Sequence, residues 1–325
     1  MLVSLLIAGA TLAPLKNSAW LVFYDPASMA SFEKYGAQLS EVGVEWIAAG
    51  TDGLPKRREH ATPANAEKVR TVAKRHGVTT YAMTSNAASG GFDASLVDAL
   101  LKDEASMRAH AEALAQLAKD DGFDGVDLDY ESMRPAVREP YVKFAAMVRE
   151  ACDRRQLKLA IAVHAKTSEP GNWDGPISQD WKALGALVDR FRIMTYDFHW
   201  ATSEAGPIAP LEWFDQVIAF AKTQVAAEKI EAGVASYGYD WKDKSAKSIT
   251  WRDWQELTKL HTWTQRDAAS QENTVEYDGR KVFFSDAVAI RAKFDLAAKA
   301  GVRGVAMWRL GSEDPAVWDF LGRRP

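Results

Sequence analysis

The chain has 325 residues, enough for one large α/β barrel or two smaller domains. It is 47% hydrophobic and 26% charged, which excludes a disordered or fibrous chain. A net charge of −4 leaves no basic field to hold nucleic acid or an anionic membrane, and the single cysteine, Cys152, excludes an intramolecular disulfide.

Residues 1–13 are an apolar, small-residue run, too short to span a bilayer. The run reads as a secretory segment cleaved near Ala13, or as an N-terminal arm over residues 1–16. Export to the cell envelope or medium is the expectation, with residues 17–325 forming a single barrel. Residues 20–24 read as a first strand, closed by Asp25-Pro26. A helix follows over 28–39, with Ser28 as its cap. Residues 44–48 form a second strand. The helix over 63–76 has Pro63 near its start and Gly77 just past its end, as helix ends prefer. A third strand covers 78–83, and a helical period over 94–119 breaks near Asp103.

The stretch Asp121-Gly-Phe-Asp-Gly-Val-Asp-Leu-Asp-Tyr-Glu131 is the fourth strand. Successive side chains of a strand alternate faces, so Asp127, Asp129 and Glu131 lie side by side. Val126, Leu128 and Tyr130 occupy the apolar face. Three adjacent acids repel, and burial disfavours their charge, so a core has no use for them. A proton-transfer or sugar-binding site does. The alternatives are a solvated acidic edge or a calcium loop. A calcium loop wants Gly at its sixth position and Glu at its twelfth. The regular alternation reads as strand instead.

Downstream, the spacing predicts a helix over 135–154, a fifth strand over 157–163 and a short helix over 181–188. A sixth strand covers 191–196, a helix 211–225 and a seventh strand 229–235. Asp278-Gly279, between two strand-like runs within 274–284, marks a hairpin. A helix over 285–299 and an eighth strand over 304–308 complete the chain. Eight strands alternating with helices predict an α/β fold, a (β/α)8 TIM barrel with a small β-hairpin inserted between strands seven and eight. Active sites of such barrels lie at the C-terminal strand ends, where the acids fall. An open doubly wound sheet would carry G-x-G-x-x-G after its first strand, and none is present.

Asp124, Gly125, Asp127, Asp129 and Glu131, as D-G-x-D-x-D-x-E, resemble the signature of glycoside hydrolase family 18, the chitinase-like hydrolases. Met194-Thr-Tyr-Asp197 is similar to that family's M-x-Y-D after strand six. Trp308 matches the tryptophan that floors its sugar pocket, and Tyr24 a tyrosine often found after strand one. Tyr237-Gly-Tyr-Asp-Trp241, residues 205–213 and residues 311–315 resemble the bacterial spore-cortex-lytic peptidoglycan hydrolases. Strand three departs from the chitinase pattern, ending Met83-Thr-Ser-Asn86 where S-x-G-G is common.

The resemblance implies a glycosidase that cleaves β-1,4 bonds of N-acetylglucosamine-containing glycans, peptidoglycan ahead of chitin, with retention. The substrate's own acetamido group would be the nucleophile. Glu131 would be the general acid/base. Asp129 would hold the acetamido nitrogen, Asp127 would share a proton with Asp129, and Tyr196 would donate to the acetamido oxygen. Asp197, Trp308, Tyr24, Tyr239, Trp241 and Asn86 are the expected substrate-binding residues; Tyr24, Tyr239 and Trp241 are equally readable as packing. The alternative function is a non-catalytic, lectin-like sugar binder on the same fold, which the intact Glu131 disfavours. His164 and His199 read as loop-structuring residues. No metal or cofactor is expected, and a monomer with a glycan as its partner is.

Overall fold

The computed structural model describes residues 15–89 and 91–321; the N-terminal run over 1–13 lies outside the described residues. Eight parallel strands close into a barrel: β1 (Lys16–Leu21), β2 (Glu41–Ala49), β3 (Thr79–Ser85), β4 (Gly125–Asp129), β5 (Lys158–His164), β6 (Arg190–Met194), β7 (Ile230–Ala235) and β8 (Gly304–Trp308). Neighbours in sequence are neighbours in space, and β8 pairs with β1 to shut the sheet. The apolar face of each strand packs outward onto the surrounding helices. Val126, Leu128 and Tyr130 lie in that main core, whereas Trp20, Met83, Ala162 and Ala306 form a small cluster inside the barrel.

Local chemistry sets most boundaries. In the helix Pro63–His76, the Thr62 side chain accepts from Asn65 N at 3.2 Å, and Gly77 closes the end at φ 72°. The predicted break near Asp103 is real. Asp103 caps Glu104–Asp120, its carboxylate accepting from Ser106 N at 2.7 Å.

Strand one begins and ends earlier than the sequence pattern predicts. Asn17 and Ser18 precede the strand predicted over 20–24, yet both belong to β1 and are buried, because β1 pairs with β8 and β2. Asp25, not Ser28, caps the following helix Pro26–Tyr35, accepting from Ala27 N at 3.0 Å. Ser28 Oγ instead accepts from Val22 N at 3.0 Å.

The predicted hairpin is present, Asn273–Tyr277 with Arg280–Phe284. Asp278 (φ 46°) and Gly279 (φ 71°) are both left-handed, as a two-residue turn of this type requires. It belongs to a larger unit: Gly238–Lys242, Ser245–Ile249 and Gln265–Arg266 complete a five-stranded antiparallel sheet. Val275, Val282 and Phe284 pack there against Trp254 of the helix Trp251–Leu260, forming a separate small core.

Candidate active site

Asp127 and Asp129 are the third and fifth residues of β4, and Glu131 follows two residues later in the loop. The parity predicted from the sequence holds: Asp127 is fully buried, Asp129 nearly so, and the Glu131 side chain is 15% exposed. Hydrogen bonds fix the Glu131 backbone from both sides. Asn86 Oδ1 accepts from Glu131 N at 2.9 Å, and Asn86 Nδ2 donates to Glu131 O at 2.9 Å. Ser132 N donates to His164 Nε2 at 3.2 Å, which places that nitrogen 3.8 Å from Glu131 Oε2. Burial pushes His164 down to about 3, so it is neutral, and its accepting Nε2 leaves the proton on Nδ1. Behind the strand, Tyr130 Oη bridges His110 Nε2 at 2.7 Å and Thr84 Oγ1 at 3.2 Å.

The electrostatics keep a proton among the acids. Burial, and then the charge of Asp127, pushes Asp129 up to about 8. Burial, then Asp129 and Asp197, pushes Glu131 well above the usual carboxyl range. Asp129 and Glu131 hydrogen-bond each other, which requires a proton between them. Asp127, the expected sharer of that proton, has its Oδ2 taken by Trp20 Nε1 at 3.0 Å and Arg192 Nη1 at 2.5 Å, while its Oδ1 is buried without a hydrogen-bond partner. The tight spacing at that carboxylate depends on Gly43, where a Cβ would sit 2.7 Å from the Trp20 ring and 2.9 Å from Asp127 Oδ2.

Tyr196 and Asp197 follow β6. Burial raises the Tyr196 phenol well above its ordinary value, and the charges of Glu131 and Asp129 raise it further, so it remains a hydrogen donor. Gly233 makes room for its ring, since a Cβ there would lie 2.8 Å from Tyr196 Cε1. Asp197 is left-handed (φ 56°), and its Oδ1 accepts from the Tyr237 hydroxyl and, at 3.2 Å, from Tyr239 Oη. Burial pushes Asp197 up to about 6.

These groups open into a groove of about 1380 Å³ that also takes in Tyr24, Trp308 and Tyr239. Trp308 meets Trp20 edge to face, with centroids 5.8 Å apart. Tyr24 stands three residues beyond the end of β1, 63% exposed, with the Arg309 guanidinium 5.0 Å over its ring. Two expected substrate contacts do not reach the groove. Asn86 is buried and does not line the groove; its amide bonds the Glu131 backbone and Asp93 O, the latter at 3.0 Å. Trp241 is 1% exposed, pinned by its Nε1 donating to Trp200 O at 3.2 Å and packed between Tyr239 and Phe283.

Sequence reasoning passed over Trp173, Phe198 and Trp200, all exposed and all lining the groove. Large aromatics in loops with no strand or helix period, just after strands five and six, are the signal that would have found them. His164 was read as a loop-structuring residue and stands against the acid. Among the described residues, no three His, Cys, Asp or Glu side chains converge as metal ligands.

A cleft lined with aromatics, at the C-terminal rim of a barrel, with a proton held between two buried carboxyls, is equipped for acid–base cleavage of a sugar polymer. Comparison with known proteins agrees. The model of "Glycosyl hydrolases family 18" matches residues 55–314. An uncharacterised glycosylase, YvbX of Bacillus subtilis, is 28% identical over 308 residues, covering 91% of this chain and 88% of that protein. The cortical fragment-lytic enzyme of Bacillus subtilis is 27% identical across 78% of this chain, and the match spans 62% of that enzyme's length. Among solved structures, the spore cortex-lytic enzyme SleL of Bacillus cereus superposes with a TM-score of 0.84 at 25% identity, covering 96% of this chain and 74% of that one. A chitinase of Chromobacterium violaceum gives 0.86 at 26% identity, covering 94% and 97%. The chain belongs to glycosyl hydrolase family 18, and it is a glycosidase.

Proposed function

We propose that this glycosidase cleaves β-1,4 bonds of N-acetylglucosamine-containing glycans with retention, peptidoglycan ahead of chitin, and that the substrate's acetamido group is the nucleophile. The observation that carries the reading is the pair of carboxyls, Asp129 and Glu131, side by side at the open end of an aromatic groove, where burial raises both above their ordinary range. Glu131 protonates the glycosidic oxygen as the bond breaks. The acetamido oxygen attacks the anomeric carbon, and the resulting oxazolinium charge faces Asp129, which takes the hydrogen bond of the acetamido nitrogen. Tyr196 donates to the acetamido oxygen. Water then opens the intermediate, with Glu131 returned as base.

General acid catalysis supplies roughly 10²–10⁴ in rate. A well-oriented internal nucleophile supplies up to about 7–11 kcal/mol. The substrate's amide therefore contributes more than any one side chain. Peptidoglycan is preferred because cortex-lytic relatives recur among the matches, although chitinases share the fold equally well. A cell-wall substrate calls for an exported enzyme.

Mass analysis of products from peptidoglycan and from chitin oligomers tests the reading, with a deacetylated oligomer and Glu131→Gln as controls. Products from an acetylated polymer, none from the deacetylated one and none with Glu131→Gln are expected. Equal turnover of the deacetylated oligomer would remove the internal nucleophile. Binding without any product would leave a sugar-binding protein.

A further inference from the structure

Arg192 lies in the middle of β6, flanked by Phe191 and Ile193, and only 1% of its side chain is exposed. Its inward parity with Arg190 and Met194 sends the guanidinium into the barrel, 4.8 Å from the Tyr81 ring and 5.8 Å from the Trp20 ring. There it donates to three carboxylates from three different strands: Asp127 of β4 at 2.5 Å, Glu231 of β7 at 2.9 Å and Glu41 of β2 at 3.2 Å. The remaining oxygens of the two glutamates are held by others. Arg190 and Arg303 donate to Glu41 at 2.8 and 2.7 Å, and Arg303 and Ser18 donate to Glu231 at 3.0 and 2.8 Å. Three guanidiniums thus meet three carboxylates, and the cluster is neutral only while all six are charged.

Asp127 is the member that also belongs to the acid row. One of its oxygens takes Trp20 and Arg192; the other, Oδ1, is buried and has no hydrogen-bond partner. A buried carboxylate without a cation takes up a proton, whereas a guanidinium stays charged at any working pH. Two positions along the same face, Asp129 feels the charge that results.

We propose that Arg192 is a positioning residue for the reaction: from the floor of the barrel it holds Asp127 as a carboxylate, and through that charge it keeps the proton of the acid row on the Asp129–Glu131 pair. The inference rests on the roles given to Asp129 and Glu131 above. It extends them to a residue that touches no substrate and lies outside the groove.

The test is the pH dependence of kcat and KM on the acetylated oligomer for Arg192→Met and Arg192→Lys. In Arg192→Met, Asp127 protonates, Asp129 loses its like-charged neighbour, and the pair releases its proton at lower pH. The basic limb should move down by about one unit or more, with kcat reduced roughly ten- to a hundredfold and KM changed less than about threefold. Arg192→Lys keeps the charge, and its basic limb should stay with the native one even where the protein melts earlier. An unchanged limb in Arg192→Met, or a limb displaced equally by Lys and by Met, would overturn the proposal.

Should Arg192→Met fail to fold, Asp127→Asn is compared with Asp127→Asn/Arg192→Met, in which no unpaired charge is left on Asp127. The two should share one profile. A further loss of about tenfold or more in the double variant would show that Arg192 acts by another route. Carbon NMR of the labelled carboxyls needs no turnover. It should show Asp127 charged at pH 7 in the native chain and protonated in Arg192→Met. If the native chain cleaves neither polymer, the functional reading fails, while the NMR comparison still decides whether Arg192 sets the charge of Asp127.

Discussion

At the floor of the barrel, Glu41, Asp127 and Glu231 each have a guanidinium within 2.9 Å. At the mouth, Asp129, Glu131 and Asp197 have no such partner among the described residues: the first two bond each other, and Asp197 has only tyrosine hydroxyls. The same groups, a few residues apart on the same barrel, are paired with guanidiniums in one place and raised above their ordinary range in the other. Cations supplied below and withheld above make the difference. The floor provides structure. The mouth gives up stability to hold an acid ready, as burial of like charges must.

Removing the acid breaks the contrast most severely. Glu131→Gln should lower kcat at least roughly 10²–10⁴-fold. It should also raise thermal stability by about 1–3 kcal/mol near neutrality, since a group held protonated against its unfolded tendency is gone. The sign follows from the raised folded value of Glu131. Below about pH 4 both folded and unfolded states carry the proton, and native and variant differ little; the gap opens as pH rises. Melting curves at pH 4 and pH 7 check this.

The floor should respond in the opposite sense. Glu231→Ala leaves Arg192 and Arg303 short of an acceptor, at a cost of about 3–5 kcal/mol in denaturant titration, because a broken buried pair strands its charge. A floor variant that gained stability would erase the distinction between the two regions.

His110 sharpens the comparison from behind the strand. Burial pushes it down to about 4, so it is neutral in the folded chain. Its contribution is complete above the unfolded value near 6.5 and is lost as pH falls toward 4, by up to about 3 kcal/mol. In Glu131→Gln, where the opposing acid contribution is reduced, stability should therefore decline over that window. Asn86→Ala, which frees the Glu131 backbone, should cost about 1–3 kcal/mol and lower kcat more than it raises KM.

Much of this was legible from residue order. The two-residue alternation of Asp127, Asp129 and Glu131 gave their shared face, Pro63, Asp103 and Gly77 gave helix ends, and Asp278-Gly279 gave a turn. What stayed hidden depends on partners distant in sequence. Asn17 and Ser18 carry no apolar strand signal and join β1 only because β8 lies beside them. Asn86 looks like a pocket residue until the Glu131 backbone occupies its amide. Trp241 looks like a sugar platform until its own strand joins the inserted sheet and packs the ring between Tyr239 and Phe283. Arg192 carried a signal that was available, a charge at inward parity between Phe191 and Ile193, matched by Glu41 and Glu231 on other strands.

The most direct test of the proton held at the mouth is the pH dependence of kcat/KM for the native chain on an acetylated oligomer. Asp129, raised to about 8 with Glu131 above its ordinary range, predicts activity maintained through pH 7 and falling on the basic side of about 8. A rate that already falls between pH 4 and 6, where an ordinary carboxyl loses its proton, would contradict the account.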